Sequence, residues 1–288
     1  MAGFYYANNG RKINLTLDVL RRRTDGYHEI RSVMQSIAQY DRLIIRKAQT
    51  GIELVTKTEF TEPENNLAYK AAELFFSAVS LHAGVKIELE KNLPISAGLA
   101  GGSADAAGVL WSLNKLYQTN LSLAQLQALA QKLGADVPFC IQGGTLLAEG
   151  IGEKLSLLPA LPDYAIVLVN PNYSISTKEV YQALAPSMFG DNYTTRLINA
   201  LNQKQNITDC FGNVLEQISS SQVPEIKVWQ QRLLESGAES SIMSGSGPTV
   251  MGVFTSKELA LQFLNKWNKQ CRMTLTKPWN TGITVIKE

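Results

Sequence analysis

The sequence predicts an α+β chain of two domains, on three observations. Stretches that alternate apolar and polar residues are interleaved with stretches in which apolar residues recur every three to four positions. A glycine-dense segment, Pro94 to Ala107, joins one stretch of each kind. Beyond Pro159 the pattern changes: Pro162 precedes the apolar run Ala165-Ile166-Val167-Leu168-Val169, Asn170-Pro171 ends it, and a domain boundary is expected near 155–163. We therefore expect domains over 1–158 and 159–288, the second with helices on an antiparallel sheet. At 288 residues and 45% hydrophobic content the chain is long enough to bury two cores.

Taken in order, Lys12-Ile13-Asn14-Leu15-Thr16-Leu17-Asp18-Val19 alternates throughout, so a strand places Ile13, Leu15, Leu17 and Val19 on one face and Lys12, Asn14, Thr16 and Asp18 on the other. Lys12 and Asn14 can then point into one cleft. Thr24-Asp25-Gly26-Tyr27 has turn chemistry, and strand-like stretches near 30–37 and 42–47 make hairpins the natural reading. Asn65 or Asn66 can cap a helix whose apolar stripe is Leu67, Ala71, Leu74, Phe75 and Ala78. Val85 to Glu90 alternates as a half-buried strand, and after the glycine segment Val109, Leu110, Leu113, Leu116 and Tyr117 share one helix face. Ser122 and Gln125 form a capping box for a further helix, with Gly134 as its C′ residue. In the second half, helices are expected to open at Ser176 with Glu179 and at Thr255 with Glu258, and another, near 224–236, to close at Gly237. Ser240 to Met243 and Thr249 to Phe254 read as short strands around the loop Ser244-Gly245-Ser246-Gly247-Pro248.

Composition excludes several classes of function. With 27 basic and 25 acidic residues the net charge is +2, and the run Arg21-Arg22-Arg23 is short, so nucleic acid is not an expected partner. Cys140, Cys210 and Cys271 are odd in number and far apart, which suggests neither a disulfide framework nor a zinc site and fits a reducing cytoplasm. Met1 to Lys12 lacks the apolar core of a signal peptide, and no apolar run approaches membrane-spanning length, so a soluble protein without a membrane partner is expected. Modest surface patches are compatible with a monomer or a weak homodimer.

The glycine segment carries the strongest chemical signal. A strand leads into it and a helix leads out, and glycines at 98, 101 and 102 remove Cβ atoms where a ligand would approach the backbone. The first helical turn leaves unpaired N–H donors at the positive end of the helix dipole, which suits phosphate. Neither a Walker A motif nor Gly-x-Gly-x-x-Gly is present, so the site is of another kind. A plain glycine connector capped by Ser103 is the competing reading. Asp136 lies between Gly134-Ala135 and Val137-Pro138-Phe139. It either caps the following segment or acts as a general base toward a substrate hydroxyl, with Lys12 as its partner. Tyr27-His28 offers an aromatic face beside an imidazole, suited to reading a heterocycle, or else forms a surface turn. His82 has no supporting neighbours and is read as structural.

In this order along the chain, four stretches resemble the GHMP kinase superfamily: Lys12-Ile13-Asn14-Leu15 with Asp25-Gly26-Tyr27-His28-Glu29; Leu93 through Ala107; Leu133-Gly134-Ala135-Asp136-Val137-Pro138-Phe139; and Met243-Ser244-Gly245-Ser246-Gly247-Pro248-Thr249. Asp-Gly-Tyr-His combined with Gly-Ala-Asp-Val-Pro-Phe is the specific part. It is similar to the branch that phosphorylates a cytidine diphosphate–linked methylerythritol on its 2-hydroxyl, in non-mevalonate isoprenoid precursor synthesis. The resemblance implies an α+β fold with an N-terminal domain like domain 2 of ribosomal protein S5, a ferredoxin-like C-terminal domain and the active site in the cleft between them. It implies ATP as donor, Mg²⁺ as cofactor, and that cytidine-linked acceptor as the partner molecule.

Residue by residue, the resemblance makes Asp136 the base and Lys12 the group that holds and polarises the hydroxyl. It gives Pro94, Ile95, Ser96, Ala97, Gly98, Leu99, Ala100, Gly101, Gly102, Ser103 and Ala104 to the ATP phosphates. Asn66, Leu67, Lys91 and Asp105 fall near the adenosine, and Asn14, Tyr27 and His28 on the cytidine substrate; the residues that coordinate the metal are left unassigned. The chain departs from the family pattern at Asn8-Asn9-Gly10-Arg11, where a small residue usually precedes the lysine, and at Ala100 and Ala104, where Gly and Ser are common. Another small-molecule alcohol as acceptor, or nucleotide binding without phosphoryl transfer, are the alternative readings.

Overall fold

The computed structural model describes residues 4–56, 62–92 and 98–286. Its first sheet has nine strands, organised around β3 (His28–Ala48), a single strand of 21 residues. The two strands expected at 30–37 and 42–47 are thus one. It pairs antiparallel with β1 (Phe4–Asn14), β2 (Thr16–Arg22), β5 (Gly84–Glu90) and β6 (Thr145–Gly150). β4 (Ile52–Thr56) runs parallel to β5, and β7 (Lys154–Leu157) extends β6. The turn at 23–27 closes a β2–β3 hairpin, as expected, through Arg23 N to Tyr27 O at 2.8 Å.

The alternation from Lys12 to Val19 is not one strand, because the chain bends at Leu15 between β1 and β2. Both faces are buried: Lys12, Asn14, Thr16 and Asp18 are as enclosed as their apolar neighbours. A bulge sits in the β1–β3 pairing, with Gly10 opposite Tyr40 but Arg11 opposite Ile37. Such a bulge redirects the side chains next to it.

One face of this sheet is covered by α1 (Leu67–Ala78), α2 (Gly101–Leu116), α3 (Leu123–Gln131) and α4 (Val137–Gln142). Asn66 caps α1 by accepting from Ala68 N at 2.9 Å, and Ser122 with Gln125 makes the expected capping box on α3. The buried face of α1 runs through Ala68, Ala71, Ala72, Phe75 and Phe76; Ala78 is exposed, so the apolar stripe is rotated from the one expected. α3 ends at Gln131, and Gly134 does not take the left-handed conformation of a C′ cap.

The second sheet is fully antiparallel, in the order β10 (Ser240–Met243), β11 (Val250–Phe254), β8 (Ala165–Asn170) and β12 (Arg272–Thr276). α8 (Glu225–Glu235) and α9 (Lys257–Trp267) pack on it. Gly237 follows α8 at φ +92°, as a C′ glycine should, whereas the cap of α9 is Ser256, whose hydroxyl accepts from Leu259 N, rather than Thr255. α5 (Thr177–Gln182) opens at Ser176 as expected, the Ser176 hydroxyl accepting from Glu179 N, while α6 (Thr194–Gln203), β9 (Gly212–Asn213), α7 (Glu216–Gln222) and β13 (Ile283–Ile286) carry weaker sequence signals. β13 pairs with β1, so the C-terminal strand lies in the first sheet although it belongs to the second half of the sequence.

A third apolar cluster joins the two sheets. Ile13, Leu15, Val33, Ile37 and Leu99 meet Ile166, Leu168, Ile242, Met251 and Val253, all buried. Fully burying one such side chain is worth about 1.5–3 kcal/mol, so this contact holds the sheets as one body around the cleft above it.

Candidate functional site

A cavity of about 1000 Å³ opens where the end of β1, the first turn of α2, the start of α4 and the second sheet converge. Lys12, Asn14, Tyr27, His28, Leu67, Gly98, Ala100, Gly101, Gly102, Ser103 and Asp136 all line it. Residues spread over 125 positions of sequence are thereby brought around one cavity.

Lys12 and Asn14 point the same way, as strand alternation requires. Lys12 Nζ donates to Asn14 Oδ1 at 2.7 Å and lies 3.5 Å from Asp136 Oδ2. Asn14 is held in turn: its Nδ2 donates to Ser32 Oγ at 2.8 Å and its backbone N to Ser244 Oγ at 3.2 Å. Asn14 therefore orients the lysine as well as facing the cavity. Asp136 occupies the N-cap position of α4, yet its side chain makes no capping bond. The carboxylate is 32% exposed and directed at the cavity, which rules out the cap reading of the sequence.

The first turn of α2 lines the same cavity. Ala100 is its N-cap, left-handed at φ 53°, with no side-chain cap, and Ser103 lies inside the helix rather than capping it. The N–H groups of the first turn are therefore left for a ligand. Gly98, at φ +72°, is where the loop touches the other half of the molecule: a Cβ there would sit 2.4 Å from Ser244 O, and Ser244 Oγ donates to Gly98 O at 3.1 Å. Pro94, Ile95, Ser96 and Ala97 lie outside the described residues. Leu99 and Ala104 are buried in the core, so the segment meets the cavity through Gly98, Ala100, Gly101, Gly102 and Ser103.

Tyr27, also in the lining, is 61% exposed, in a turn ordered by Asp25, whose Oδ1 accepts from Tyr27 N at 3.1 Å. His28 is buried against Tyr181 and Phe189, with ring centroids 5.4 and 5.9 Å away. Burial, and secondarily the Arg22 charge, push the imidazole below its ordinary range. At neutral pH it thus offers one donor and one acceptor, the pattern that reads a base edge. Tyr181, Thr177 and Lys178 of α5 and Ser246 also line the cavity, and Thr177 Oγ1 and Ser246 Oγ lie 2.7 Å apart. Sequence reasoning missed the α5 residues; the signal was an aromatic four positions after Thr177, on the same face of a capped helix.

Three residues that the resemblance gives to the adenosine are not among the residues lining this cavity. Asn66 is spent on the cap of α1. Asp105 is buried and Lys91 half-buried, Lys91 Nζ donating both to Asp105 Oδ2 at 2.5 Å and to Asp41 Oδ2 at 2.6 Å. Arg11 Nη2 reaches the same Asp41 oxygen at 2.5 Å, so the unusual arginine before Lys12 faces away from the cleft.

Burial pushes the Asp105 carboxyl up to about 7, against the pull of Lys91. In the unfolded chain it titrates near 4. Unfolding between those values releases a proton, so this group costs stability progressively as pH rises from about 4 to about 7. The neutral isostere Asp105→Asn is accordingly expected to gain on the parent as pH is raised from 4.5 to 8. Urea melts at the two pH values check this, and a midpoint difference that shrinks with pH contradicts it.

The chain matches the GHMP kinases N terminal domain over residues 66–144 and the GHMP kinases C terminal domain over 195–272. It is 43% identical to a curated 4-diphosphocytidyl-2-C-methyl-D-erythritol kinase of Acetivibrio thermocellus over 276 residues, covering 92% of this chain and 96% of that protein. The same description and the same 43% identity hold for a protein of Pelotomaculum thermopropionicum, covering 90% and 92%. Among solved structures, a 4-(cytidine 5'-diphospho)-2C-methyl-D-erythritol kinase superposes with a TM-score of 0.83 at 34% identity, over 95% of this chain and 98% of that one. A homoserine kinase from Cytophaga hutchinsonii superposes at 0.80 with 17% identity over 98% and 97%, which speaks for the fold alone.

Proposed function

This chain belongs to the GHMP kinases, within them to the 4-diphosphocytidyl-2-C-methyl-D-erythritol kinases, and from that membership we propose how its cleft moves a phosphoryl group. The activity is ATP-dependent phosphorylation of a small-molecule alcohol, 4-diphosphocytidyl-2-C-methyl-D-erythritol, at its 2-hydroxyl. The observation that carries the mechanism is the Lys12–Asp136 pair, 3.5 Å apart and lining the same cavity as the uncapped first turn of α2.

The ATP phosphates accept from the N–H groups at 101–103, and the acceptor hydroxyl sits against Lys12 and Asp136. Asp136 accepts the hydroxyl proton as the oxygen bonds to the γ-phosphorus and the bond to the β,γ-bridging oxygen breaks, releasing ADP. Lys12, pinned by Asn14, steadies both the hydroxyl and the negative charge on the moving group. The cytidine lies toward Tyr27, His28 and Tyr181.

Among the described residues no cluster of three or more His, Cys, Asp or Glu could cage a metal. Mg²⁺, the expected partner of ATP, takes most of its ligands from phosphates and water and needs few from protein. Among the oxygen donors lining the cavity, the Ser103 hydroxyl and the Asp136 carboxylate would complete its shell. Bound there, it would neutralise phosphate charge.

The test is ADP release from purified protein with ATP and Mg²⁺, with and without the cytidine-linked acceptor. Release that depends on the acceptor supports the reading; none with a folded protein overturns it. Replacing His28 with Phe keeps the packing against Tyr181 and Phe189 but removes both nitrogens. One hydrogen bond is worth about 1 kcal/mol, so KM for the acceptor should rise about fivefold for each bond lost while KM for ATP holds. An unchanged acceptor KM would remove His28 from the substrate site.

A further inference from the structure

The strand alternation that turns Lys12 into the cleft turns Arg11 away from it, under α2. Arg11 is 1% exposed, and its Nε is buried with no hydrogen-bond partner among the described residues. Its guanidinium fills a particular space: an ideal Cβ on Gly101 would lie 1.6 Å from Arg11 Nη1 and 2.5 Å from Cζ. Gly101 is the first residue of α2, and its φ is not left-handed. Backbone conformation does not demand glycine there; the arginine does.

The same guanidinium is tied into a chain of buried charges that grips both ends of the glycine segment. At the leading end, Asp41 accepts from Asn92 N at 2.8 Å and from Lys91 Nζ, while Asn92 Nδ2 donates to Tyr40 O at 3.0 Å. At the trailing end, Arg11 packs under Gly101, and Lys91 reaches Asp105, one turn further along α2. Tyr40 and Asp41 stand beside the β1–β3 bulge, which aims Arg11 at them. Asp41 is fully buried, so removing either cation strands part of its charge.

We propose that Arg11 is a positioning residue for the phosphate-binding turn: with Asp41 it staples the two ends of the glycine segment together, forms the floor under Gly101, and so sets the affinity for a nucleoside triphosphate. This deepens the ATP reading of the cleft and rests on it.

Two measurements test the proposal. In the parent, Gly101→Ala forces a methyl into the guanidinium and lowers the melting temperature. In an Arg11→Ala background the same change is neutral or raises it, because alanine is the better helix former. A Gly101→Ala shift of equal size and sign in both backgrounds overturns the floor. For the function, Arg11→Met, and Arg11→Met combined with Asp41→Asn so that no charge is left stranded, are titrated with MgADP by calorimetry. ADP affinity is expected to fall about tenfold, with a matching rise in KM for ATP and none in KM for the acceptor. ADP affinity within twofold of the parent in a folded variant overturns the staple. Equal rises in both KM values do the same, since general loosening would produce them. If no acceptor is ever turned over, the function reading fails while calorimetry still decides on Arg11.

Discussion

Replacing Asp136 with Asn is expected to leave a folded protein whose turnover falls by about 10²–10⁴-fold, the range typical of a lost general base. Folding should be indifferent, because this carboxylate does no structural work. It makes no bond to the helix it precedes, it is one-third exposed, and its charged partner is Lys12. The asparagine amide is isosteric and stays within reach of the acceptor hydroxyl, yet it cannot take the proton. The loss should appear in kcat, with ADP binding by calorimetry and the melting temperature close to the parent. Turnover within tenfold would remove the base from this residue and leave positioning as the source of rate.

Lys12→Met should cost about 10²–10³-fold in turnover, the price of removing one preorganised charge at a developing anion. Its effect on stability should be small. Lys12 is 4% exposed, so methionine occupies its volume and spares the burial of an ammonium group. Against that, Asn14 Oδ1 loses its donor, which costs about 1–3 kcal/mol. Combining Lys12→Met with Asp136→Asn should cost far less than the product of the two, because groups acting on one hydroxyl act as a unit. Single-turnover rates of the two variants and the double variant measure that coupling directly. Fully multiplicative losses would show that the two residues act on different steps.

Much of the fold was legible in local pattern. The capping box at Ser122, the cap at Asn66, the C′ glycine at 237 and the strands at 84–90 and 165–170 follow from chemistry within a few residues. The errors share one cause. The bend at Leu15, the uninterrupted β3 and the rotated stripe of α1 are set by partners distant in sequence, which periodicity does not contain. For the same reason β9 and β13, two and four residues long, exist only through the strands they meet.

The glycine segment, Lys12 and Asp136 could be singled out from the sequence because their residue types carry their chemistry locally: donors at a helix start, an ammonium, a carboxylate among apolar neighbours. Only the tertiary structure decided which residues line the cavity and which hold the frame. Lys91 and Asp105 have the polarity of ligand contacts but lie in a buried network, while Tyr181 and Thr177, unremarked in the sequence, complete the cavity wall. Arg11 is the plainest case. One residue from Lys12, and as fit for phosphate by its chemistry, it is turned to the opposite face by the strand and paired with Asp41 across the bulge. The side of a sheet on which a charge emerges, and what waits for it there, is a property of the packed chain.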